Sequence, residues 1–214
     1  MPVTIDFEGW VEKLKHRLTQ PLPGFLAHDV MRATPVGSLM PKFEHRLPPK
    51  PGSVLILLYP NNGSIHFPLT LRADYIGAHS GQVSLPGGKT EAGEDYIQTA
   101  LRECEEEIGV SGSVIEVIGR LSNFFVMPSN FMVVPVIGVS RVRPAFKADP
   151  IEVVKIIEGN VDDLIGQDAI KRKEILAAGK FRMMAPYFEI EGAVVWGATA
   201  MMLNEFRTIL REIN

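Results

Sequence analysis

The sequence predicts an α/β protein whose mixed β-sheet is covered by helices on both faces. The chain has 214 residues, of which 46% are hydrophobic and 22% charged, enough for one sizeable domain with a full core. Short apolar runs bounded by glycine and proline are typical of strands. One amphipathic helical stretch lies between these runs and another follows the last of them. Helices in those positions are expected to cover both faces of one sheet.

An N-terminal extension over residues 1–50 is predicted to precede a main domain over residues 51–214. The extension begins with an amphipathic helix that has Asp6 as its N-cap and is expected to pack on the main domain. The apolar residues of this helix recur at helical spacing and are Phe7, Trp10, Val11, Leu14 and Leu18. Because seven prolines lie between residues 19 and 52, that stretch is expected to run extended over the surface.

The first strands of the main domain are predicted to form a hairpin. The apolar run SVLILLY (53–59) and the run IHFPLTLR (65–72) flank the turn signal PNNGS (60–64). Further strands are expected at 113–121 and at 131–140, and the second of these is expected to be buried on both faces.

The C-terminal part of the chain is predicted to alternate strands and helices. Residues 151–159 fit either a strand or a short helix, and residues 187–197 fit either a strand pair or one long bent strand. Residues 161–179 are predicted to be helical, and residues 198–213 are predicted to close the chain as a helix. The apolar side of the closing helix comprises Met201, Met202, Phe206, Ile209 and Leu210.

Charge and composition exclude several classes of function. The net charge of −3 provides no basic field for a nucleic acid, and no apolar run approaches the roughly 18 residues that a membrane helix needs. The start, MPVTIDFEGWVEKLKHRL, is interrupted by acids and bases, unlike a signal peptide. The single cysteine, Cys104, excludes an internal disulfide and a multi-cysteine zinc site. We therefore expect a cytoplasmic protein without nucleic-acid or membrane partners, and a homodimer stays open.

The stretch LPGGKTEAGEDYIQTALRECEEEIGV (85–110) carries seven acidic residues within the seventeen positions from Glu91 to Glu107. On a helix, which advances about 100° per residue, Glu106 and Glu107 fall on either side of Glu103. Three carboxylates on one face repel each other unless a cation neutralises them. This face is therefore either a solvated acidic surface or a site for a hard divalent cation such as Mg2+.

The other faces of this helix are assigned to the core and to solvent. A separate apolar stripe comprises Ile97, Ala100, Leu101, Cys104 and Ile108. Its cysteine is interpreted as a small core residue rather than a nucleophile. Glu105 points away from both faces, and Gly109 is expected to cap the C-terminal end of the helix.

The residues before the helix favour the cation site. The sequence PGG (86–88) predicts a tight turn that lets a ligand approach the backbone, and Arg102 is expected to pair with Glu94 and hold the helix against the preceding loop. Together with the acidic face, these residues resemble the Nudix box. The nine matching positions are Gly88, Glu94, Arg102, Glu103, Cys104, Glu106, Glu107, Gly109 and Val110.

This resemblance implies an α/β/α sandwich and a hydrolase that uses Mg2+ or Mn2+ to cleave a nucleoside diphosphate linked to another group. It implies that Glu103 and Glu107 are metal ligands, and that Glu106 is a further ligand, direct or through water. Glu94 and Arg102 would position the catalytic carboxylates Glu103 and Glu106, and the catalytic base would be a glutamate of the box or one on a distant loop. The residues expected to contact the nucleotide substrate are Arg72, Gly87 and Gly88.

The residues upstream of the box resemble the coenzyme A pyrophosphatase branch of the family. The matching positions are Leu69, Thr70, Arg72, Ala73, Gly81, Pro86, Gly87 and Gly88. Two positions depart from the branch, Gly77 in place of an arginine and Leu85 in place of a phenylalanine. The segments 127–138 and 194–203 also resemble this branch, and His79 is interpreted as ordering the loop rather than as catalytic.

Three functions are compatible with these residues. The first is hydrolysis of CoA or acyl-CoA to 3′,5′-ADP and 4′-phosphopantetheine or its acyl form. The second is the same chemistry on a nucleoside triphosphate, ADP-ribose or a nucleotide sugar. The third is a non-catalytic Nudix module that binds a nucleotide, which the intact box disfavours. For Arg72 the sequence leaves open a contact to a phosphate or adenine and an exposed arginine at a strand end.

Overall fold

The computed structural model describes residues 6–38, 42–73, 82–177 and 179–213. The helices in these ranges are α1 (Phe7–Leu18), α2 (Phe25–Val30), α3 (Tyr96–Ile108), α4 (Val161–Ile165) and α5 (Gly197–Ile213). The strands are β1 (Thr34–Pro35), β2 (Lys50–Asn61), β3 (Ser64–Arg72), β4 (Val83–Ser84), β5 (Gly87–Lys89), β6 (Glu116–Arg120), β7 (Phe124–Val126), β8 (Phe131–Val139), β9 (Val153–Asn160), β10 (Ile170–Ala177), β11 (Phe181–Ile190) and β12 (Ala193–Trp196). Among the helices that the structure describes, none is long and apolar enough to cross a membrane.

The main sheet is mixed, as the sequence predicts. Strands β2 and β8 run parallel over Lys50–Leu58 and Phe131–Val139, whereas β5, β6 and β7 pair antiparallel with them. Beyond the hairpin of β2 and β3, the sheet continues through β3 to β4 and β9, both antiparallel. The hairpin turn has Asn62 and Gly63 at φ values of 49° and 81°, the left-handed conformation that such turns require.

Helices cover both faces of this sheet, which confirms the predicted layers. Strand β2 is buried on both sides, so alternate residues enter two different clusters. On one face, Leu55 and Leu57 pack with Cys104 and Ile108 of α3. On the other face, α1 and α5 pack against residues such as Ile56. The same cluster contains the apolar residues that were predicted for the first helix, Phe7, Trp10, Val11 and Leu14, with Leu18 packed against it.

Two ambiguous segments are resolved as strands. Residues 151–159 correspond to β9, which pairs with β3 over seven positions. Of residues 187–197, all but Gly197, which begins α5, belong to the strand pair β11 and β12, joined by a turn in which Glu191 and Gly192 have positive φ. Both assignments depend on a partner strand, which explains why the periodicity of the segments alone left alternatives open.

The prediction of one helix over residues 161–179 is wrong. Helix α4 ends at Ile165, and the described residues from Ile170 to Ala177 form strand β10. This strand pairs with β11 along its whole length in a second sheet that also contains β1 and β12. Lysine, arginine and glutamate in this segment favour a helix intrinsically, but the tertiary pairing with β11 overrides that weak preference.

The proline-rich connection is also more structured than expected. It contains the short helix α2 and strand β1, and it buries His28 and Met31. The imidazole of His28 lies 2.8 Å from an oxygen of Glu205, which is fully buried on α5. The other oxygen of Glu205 accepts from the hydroxyl of Ser122 at 2.6 Å and from the backbone N–H of Gly24 at 3.0 Å. This buried carboxylate therefore anchors the extension to the main body, while a domain boundary at residue 50 stays a prediction.

Replacing Glu205 with alanine is expected to destabilise the fold by about 3–5 kcal/mol, because removing one member of a buried ionic network leaves the others unpaired. Burial by itself raises the pKa of Glu205, but the hydrogen bonds from His28, Ser122 and Gly24 outweigh it and hold the pKa below the usual 4.5. A lowered carboxyl pKa contributes stability above pH 4.5 that is lost as the pH falls through the folded-state pKa.

Urea unfolding at several pH values measures both effects. The matched variant Glu205→Gln keeps the shape of the side chain but cannot ionise, so its stability should vary less with pH than that of the wild type. The difference between the free energies of unfolding of the wild type and of Glu205→Gln should therefore be largest above pH 4.5 and should decrease on acidification. A difference that increases towards low pH would contradict this role of Glu205.

Candidate active site

Helix α3, which carries the acidic face, is capped at both ends by residues next to it in the sequence. The side chain of Asp95 accepts from the N–H groups of Ile97 and Gln98, and the backbone N–H of Asp95 donates to the side-chain oxygen of Gln98, which completes a capping box. The helix ends at Gly109, which has a φ of 73°, a left-handed conformation that favours glycine. The predicted cap at Gly109 is thus confirmed, and the whole acidic face lies on one rigid helix.

The double glycine brings the sheet within reach of this helix. Strand β5 pairs antiparallel with residues 52–54 of β2. A Cβ atom at Gly87 would lie 2.4 Å from the carbonyl oxygen of Ser53, and one at Gly88 would lie 2.5 Å from the carboxylate oxygens of Glu103. At Gly87 a side chain would clash with the neighbouring strand, and at Gly88 it would displace the carboxylate of Glu103.

Arg102 connects the loop to the acidic face. Its Nε and Nη2 atoms donate to the two oxygens of Glu94 at 2.6 and 3.1 Å, as the sequence predicts. Its Nη1 atom donates to Glu103 and to Glu106, each at 2.8 Å, and Nη2 also donates to the carbonyl of Lys89 at 3.1 Å. The guanidinium and the backbone N–H of Glu91 lower the pKa of Glu94 to about 2. This bidentate pair is therefore ionised and directional at neutral pH.

Glu107 is the buried member of the acidic face. Its side chain is only 2% exposed, and its two oxygens accept from Nη1 of Arg72 at 3.0 Å and from the N–H of Gly87 at 3.3 Å. Burial raises the pKa of Glu107 to about 7, against the opposing effects of Arg72 and Gly87. The interpretation of this face as a solvated acidic surface is thus wrong for Glu107, because its carboxylate has been withdrawn from water.

The three carboxylates have graded exposure. The Glu103 side chain is 15% exposed and that of Glu106 is 59% exposed, and burial raises the pKa of Glu103 although Arg102 opposes it. Together with Glu107 and two further acids, they line a cleft of about 240 Å³. Because this cleft is bounded by carboxylates, it is suited to cations or to groups that cations neutralise.

Sequence reasoning did not name Asp149 and Glu152, which complete the lining of the cleft. Their loop is tied to the end of α3, since the N–H of Lys147 donates to the carbonyl of Ile108 and that of Asp149 donates to Glu107. The Asp149 side chain caps the turn that follows by accepting from the N–H of Glu152 at 2.9 Å. The available signal was two acids at the start of the segment 151–159 and just before it, and the identity of the catalytic base stays a prediction.

The donor set fits a hard divalent cation by its chemistry. All five lining side chains are carboxylates, the ligands that Mg2+ and Mn2+ prefer. In this structure their oxygens are shared among arginines: Arg102 bonds Glu103 and Glu106, and Arg72 bonds Glu107. Among the described residues, no three His, Cys, Asp or Glu side chains converge as a preformed metal centre.

The structure also describes Cys104 and Arg72, two further residues that the sequence analysis singled out. Cys104 is fully buried in the core, and burial raises the pKa of its thiol to about 12, which agrees with a core residue. Arg72 lies at the end of β3, where it reaches the acidic cleft across the sheet. Gly77, His79 and Gly81 lie outside the described residues.

Two segments that lie far apart in the sequence meet in space. The hydroxyl of Thr199, from the segment 194–203, donates to the carbonyl of Val83 at 3.1 Å. Val83 belongs to β4, which pairs with the Arg72 end of β3. The C-terminal helix therefore supports the strand next to the double glycine, a contact that spans more than a hundred residues of sequence.

Comparison with protein families agrees with the residues of the box. A family model described as the NUDIX domain matches residues 49–177, which include the double glycine, the whole of α3 and the loop with Asp149 and Glu152.

Curated proteins give the same result. Nudix hydrolase 22, chloroplastic, from Arabidopsis thaliana is 32% identical over 175 residues, which cover 78% of this chain and 57% of that protein. Nudix hydrolase 15, mitochondrial, from the same plant is 33% identical over 78% of this chain and 61% of that protein. An uncharacterized Nudix hydrolase NudL from Yersinia pestis is 31% identical over 64% of this chain and 68% of that protein. This chain thus spans about three-fifths of the length of the two plant relatives.

Solved structures support the fold. A C. elegans Ap4A hydrolase binary complex matches with a TM-score of 0.51 at 16% identity, covering 76% of this chain and 98% of that chain. A Nudix hydrolase from M. smegmatis, RenU, matches with a TM-score of 0.51 at 14% identity, covering 78% and 89% of the two chains. At this level of sequence identity, the similarity shows a shared fold only.

Proposed function

This chain belongs to the Nudix family, and from that membership we propose that it is a metal-dependent pyrophosphohydrolase whose substrates are CoA and acyl-CoA. The observation that carries the proposal is the cleft between α3 and the loop before β9. It combines a buried carboxylate, Glu107, two further carboxylates held by Arg102, and a glycine, Gly88, at which a Cβ would lie 2.5 Å from the oxygens of Glu103. Such an arrangement can hold cations beside a pyrophosphate that has no side chain in its way.

The proposed reaction breaks one P–O–P bond with water. A bound Mg2+ or Mn2+, held by Glu103, Glu106 and Glu107, would offset the charge of the pyrophosphate and acidify the attacking water. Arg102 keeps the carboxylates in register with the Gly88 turn, so that positioning carries much of the catalysis.

The proton of the attacking water passes to a carboxylate of the cleft, and the second phosphate leaves with the electrons of the broken bond. Glu106 and Glu152 are candidates for the base, because their side chains are 59% and 55% exposed and thus accessible to water. Arg72 is a candidate for a contact to a substrate phosphate, since its guanidinium lies at the edge of the same cleft.

The choice of CoA rests on sequence features that the fold brings together. The segment 69–88 ends at the double glycine, and the segment 194–203 packs on it through Thr199 and Val83. The segment 127–138 lies largely in β8, which pairs with β2 beside the same turn. These contacts between the described parts of the three segments support the proposal that they contribute to one substrate site.

A hydrolysis panel tests the proposal. CoA, acetyl-CoA, ADP-ribose, a nucleotide sugar and nucleoside triphosphates are incubated with Mg2+ or Mn2+, and the phosphorylated products are separated by chromatography. We expect metal-dependent release of 3′,5′-ADP from CoA at the highest kcat/KM. A preference for ADP-ribose, a nucleotide sugar or a triphosphate would support the proposed metal-dependent hydrolysis but would exclude CoA as the preferred substrate. Nucleotide binding without hydrolysis of any compound would instead indicate a non-catalytic module.

The 3′-phosphate of CoA provides a sharper test of specificity. CoA is expected to have a kcat/KM at least about tenfold higher than 3′-dephospho-CoA, because each charge-assisted hydrogen bond to a phosphate contributes roughly 1.5–3 kcal/mol. The two compounds share the pyrophosphate and the pantetheine arm, so each serves as the control of the other. Equal values would show that the 3′-phosphate is not recognised and would argue against CoA as the preferred substrate.

A further inference from the structure

We propose that Asp149 is a positioning residue, whose side chain forms the turn that places Glu152 in the acidic cleft and whose backbone fixes this turn to α3 at Glu107. The inference rests on the proposed metal-dependent hydrolysis in that cleft. Asp149 is one of the five carboxylates that line the cleft. The inference assigns this carboxylate to the shape of the loop, and not to the binding of the cation.

One carboxylate oxygen of Asp149 holds the turn that follows it. Oδ1 of Asp149 accepts from the backbone N–H of Ile151 at 2.8 Å and from that of Glu152 at 2.9 Å. The carbonyl of Asp149 accepts from the N–H of Val153 at 3.0 Å, where β9 begins. An aspartate that accepts from the N–H groups two and three residues further on fixes the path of the chain, as it does at the start of a helix. The direction in which Glu152 leaves the loop therefore depends on Asp149.

The backbone of the same loop is attached to the helix that carries the acidic face. The N–H of Asp149 donates to the carbonyl of Glu107, and that of Lys147 donates to the carbonyl of Ile108, each at 2.9 Å. Both carbonyls lie in the last turn of α3, where a helix has no partners of its own for them. A Cβ atom at Gly109 would lie 3.0 Å from the carbonyl oxygen of Lys147, so the glycine that ends α3 also lets the loop approach. Asp149 thus links the end of the helix to the turn that carries Glu152.

Glu152 is the group whose charge this turn directs. Its side chain is 55% exposed, and its Oε2 atom lies 3.6 Å from Nη2 of Arg72, the arginine that also bonds Glu107. Burial is the main cause of the raised pKa values of Glu103 and Glu107, and the negative charge of Glu152 adds to both increases. A carboxylate that acts on these two glutamates is close enough to act on a cation or a water molecule beside them. The position of Glu152 therefore matters for the proposed reaction.

The hydrogen bonds of Asp149 differ in kind from those of the glutamates on α3. Glu103 and Glu106 accept from the guanidinium of Arg102, whereas Oδ1 of Asp149 accepts from two backbone N–H groups. An asparagine can accept the same two hydrogen bonds, because Asn and Asp are about equally good caps. A hard cation, in contrast, prefers a charged carboxylate. Replacement of Asp149 with asparagine therefore separates the two possible roles of this side chain.

Hydrolysis of CoA and binding of Mn2+ test the inference in the variants Asp149→Ala and Asp149→Asn. Asp149→Ala is expected to lower kcat by about tenfold or more, because a misplacement of about 1 Å in an active site can cost about 10². Asp149→Asn should recover kcat to within about threefold of the wild type, because it keeps the cap. Its affinity for Mn2+, measured by electron paramagnetic resonance without nucleotide, should also stay within about threefold, because no ligand is lost. Wild-type kcat in Asp149→Ala, or a loss of about tenfold or more in the Mn2+ affinity of Asp149→Asn, would overturn the inference.

The matched control is Asn160→Ala, which removes a similar cap outside the cleft. The side chain of Asn160 accepts from the N–H of Asp162 at 2.9 Å at the start of α4 and does not line the cleft. Its loss is expected to lower the stability of the fold but to leave kcat within about twofold of the wild type. A fall in kcat as large as that of Asp149→Ala would show that lost stability explains both variants, and would overturn the inference.

A double-mutant cycle with Glu152→Gln tests whether Asp149 acts through Glu152. Glu152→Gln alone is expected to lower kcat, because the charge that Asp149 positions is gone. Adding Asp149→Ala to Glu152→Gln should then lower kcat by no more than about a further twofold, since the two residues share one effect. Wild-type kcat in Glu152→Gln, or the full loss from Asp149→Ala in the double variant, would contradict a role that runs through Glu152.

Backbone hydrogen exchange in the metal-free protein tests the turn without any measurement of activity. The N–H groups of Ile151 and Glu152 are expected to exchange about tenfold faster or more in Asp149→Ala than in the wild type, but within about threefold in Asp149→Asn. Unchanged exchange in Asp149→Ala would show that the side chain does not hold the turn and would overturn the inference, even in a protein that hydrolyses CoA. A wild type that hydrolyses no pyrophosphate would instead refute the proposed function, while the exchange rates would still show whether Asp149 holds the turn.

Discussion

Glu107→Gln is expected to lower kcat by about 10²–10³, because the variant would hold less well the cation that stabilises developing negative charge in the active site. Glutamine has nearly the same shape but lacks the charge that a hard cation requires. Because Glu107 is 2% exposed, surrounding water cannot compensate for that charge. The measurement is the rate of CoA hydrolysis at saturating Mg2+, with circular dichroism to confirm the fold.

The matched control is Glu105→Gln on the same helix. Glu105 is exposed and does not line the cleft, so the same chemical change there should leave kcat within about twofold. The melting temperature of Glu107→Gln without added metal should remain close to that of the wild type. A neutral side chain avoids the cost of a buried charge, which offsets the weakened bond to Arg72. Wild-type activity of Glu107→Gln at saturating Mg2+ would contradict the assignment of Glu107 as a metal ligand.

Arg102→Ala is the second substitution with a large expected effect, a fall of about 10² in kcat, because a misplacement of about 1 Å in an active site can cost that much. The variant loses the hydrogen bonds that hold Glu103 and Glu106 in register with Glu94 and the Gly88 loop. The affinity for metal should change less than kcat, because Arg102 orients the carboxylates that would bind the metal but is not itself a ligand.

Arg102→Lys separates charge from geometry. Lysine keeps the positive charge but cannot make the bidentate pair with Glu94, so it should recover metal affinity more fully than kcat. Circular dichroism recorded beside the kinetics identifies a folding defect. An Arg102→Ala variant with normal kcat that no longer binds metal would contradict the positioning role. An unfolded variant would show that Arg102 is needed mainly for the stability of the fold.

The acidic helix could be read from the sequence because its determinants are local. Glu103, Glu106 and Glu107 share a face through the periodicity of the helix, and Glu94 lies in the loop only eight residues before Arg102, near enough in the chain to pair with it. Gly109 ends the helix through its own backbone conformation. The hairpin of β2 and β3 was predicted for the same reason, since a turn sequence between two apolar runs acts over a few residues.

The tertiary structure decided what depends on distant partners. The sequence assigned β10 to a helix, because the pairing with β11 that overrides helix propensity is invisible in a short window. It could not distinguish exposed Glu106 from buried Glu107, since burial depends on which strand and loop lie over the helix. Nor could it place Arg72 on Glu107, 35 positions away, or bring Asp149 and Glu152 to the same cleft. The sequence thus determined which groups could perform the chemistry, whereas their charge compensation and access to water arose only when strands and loops far apart in the chain packed around α3.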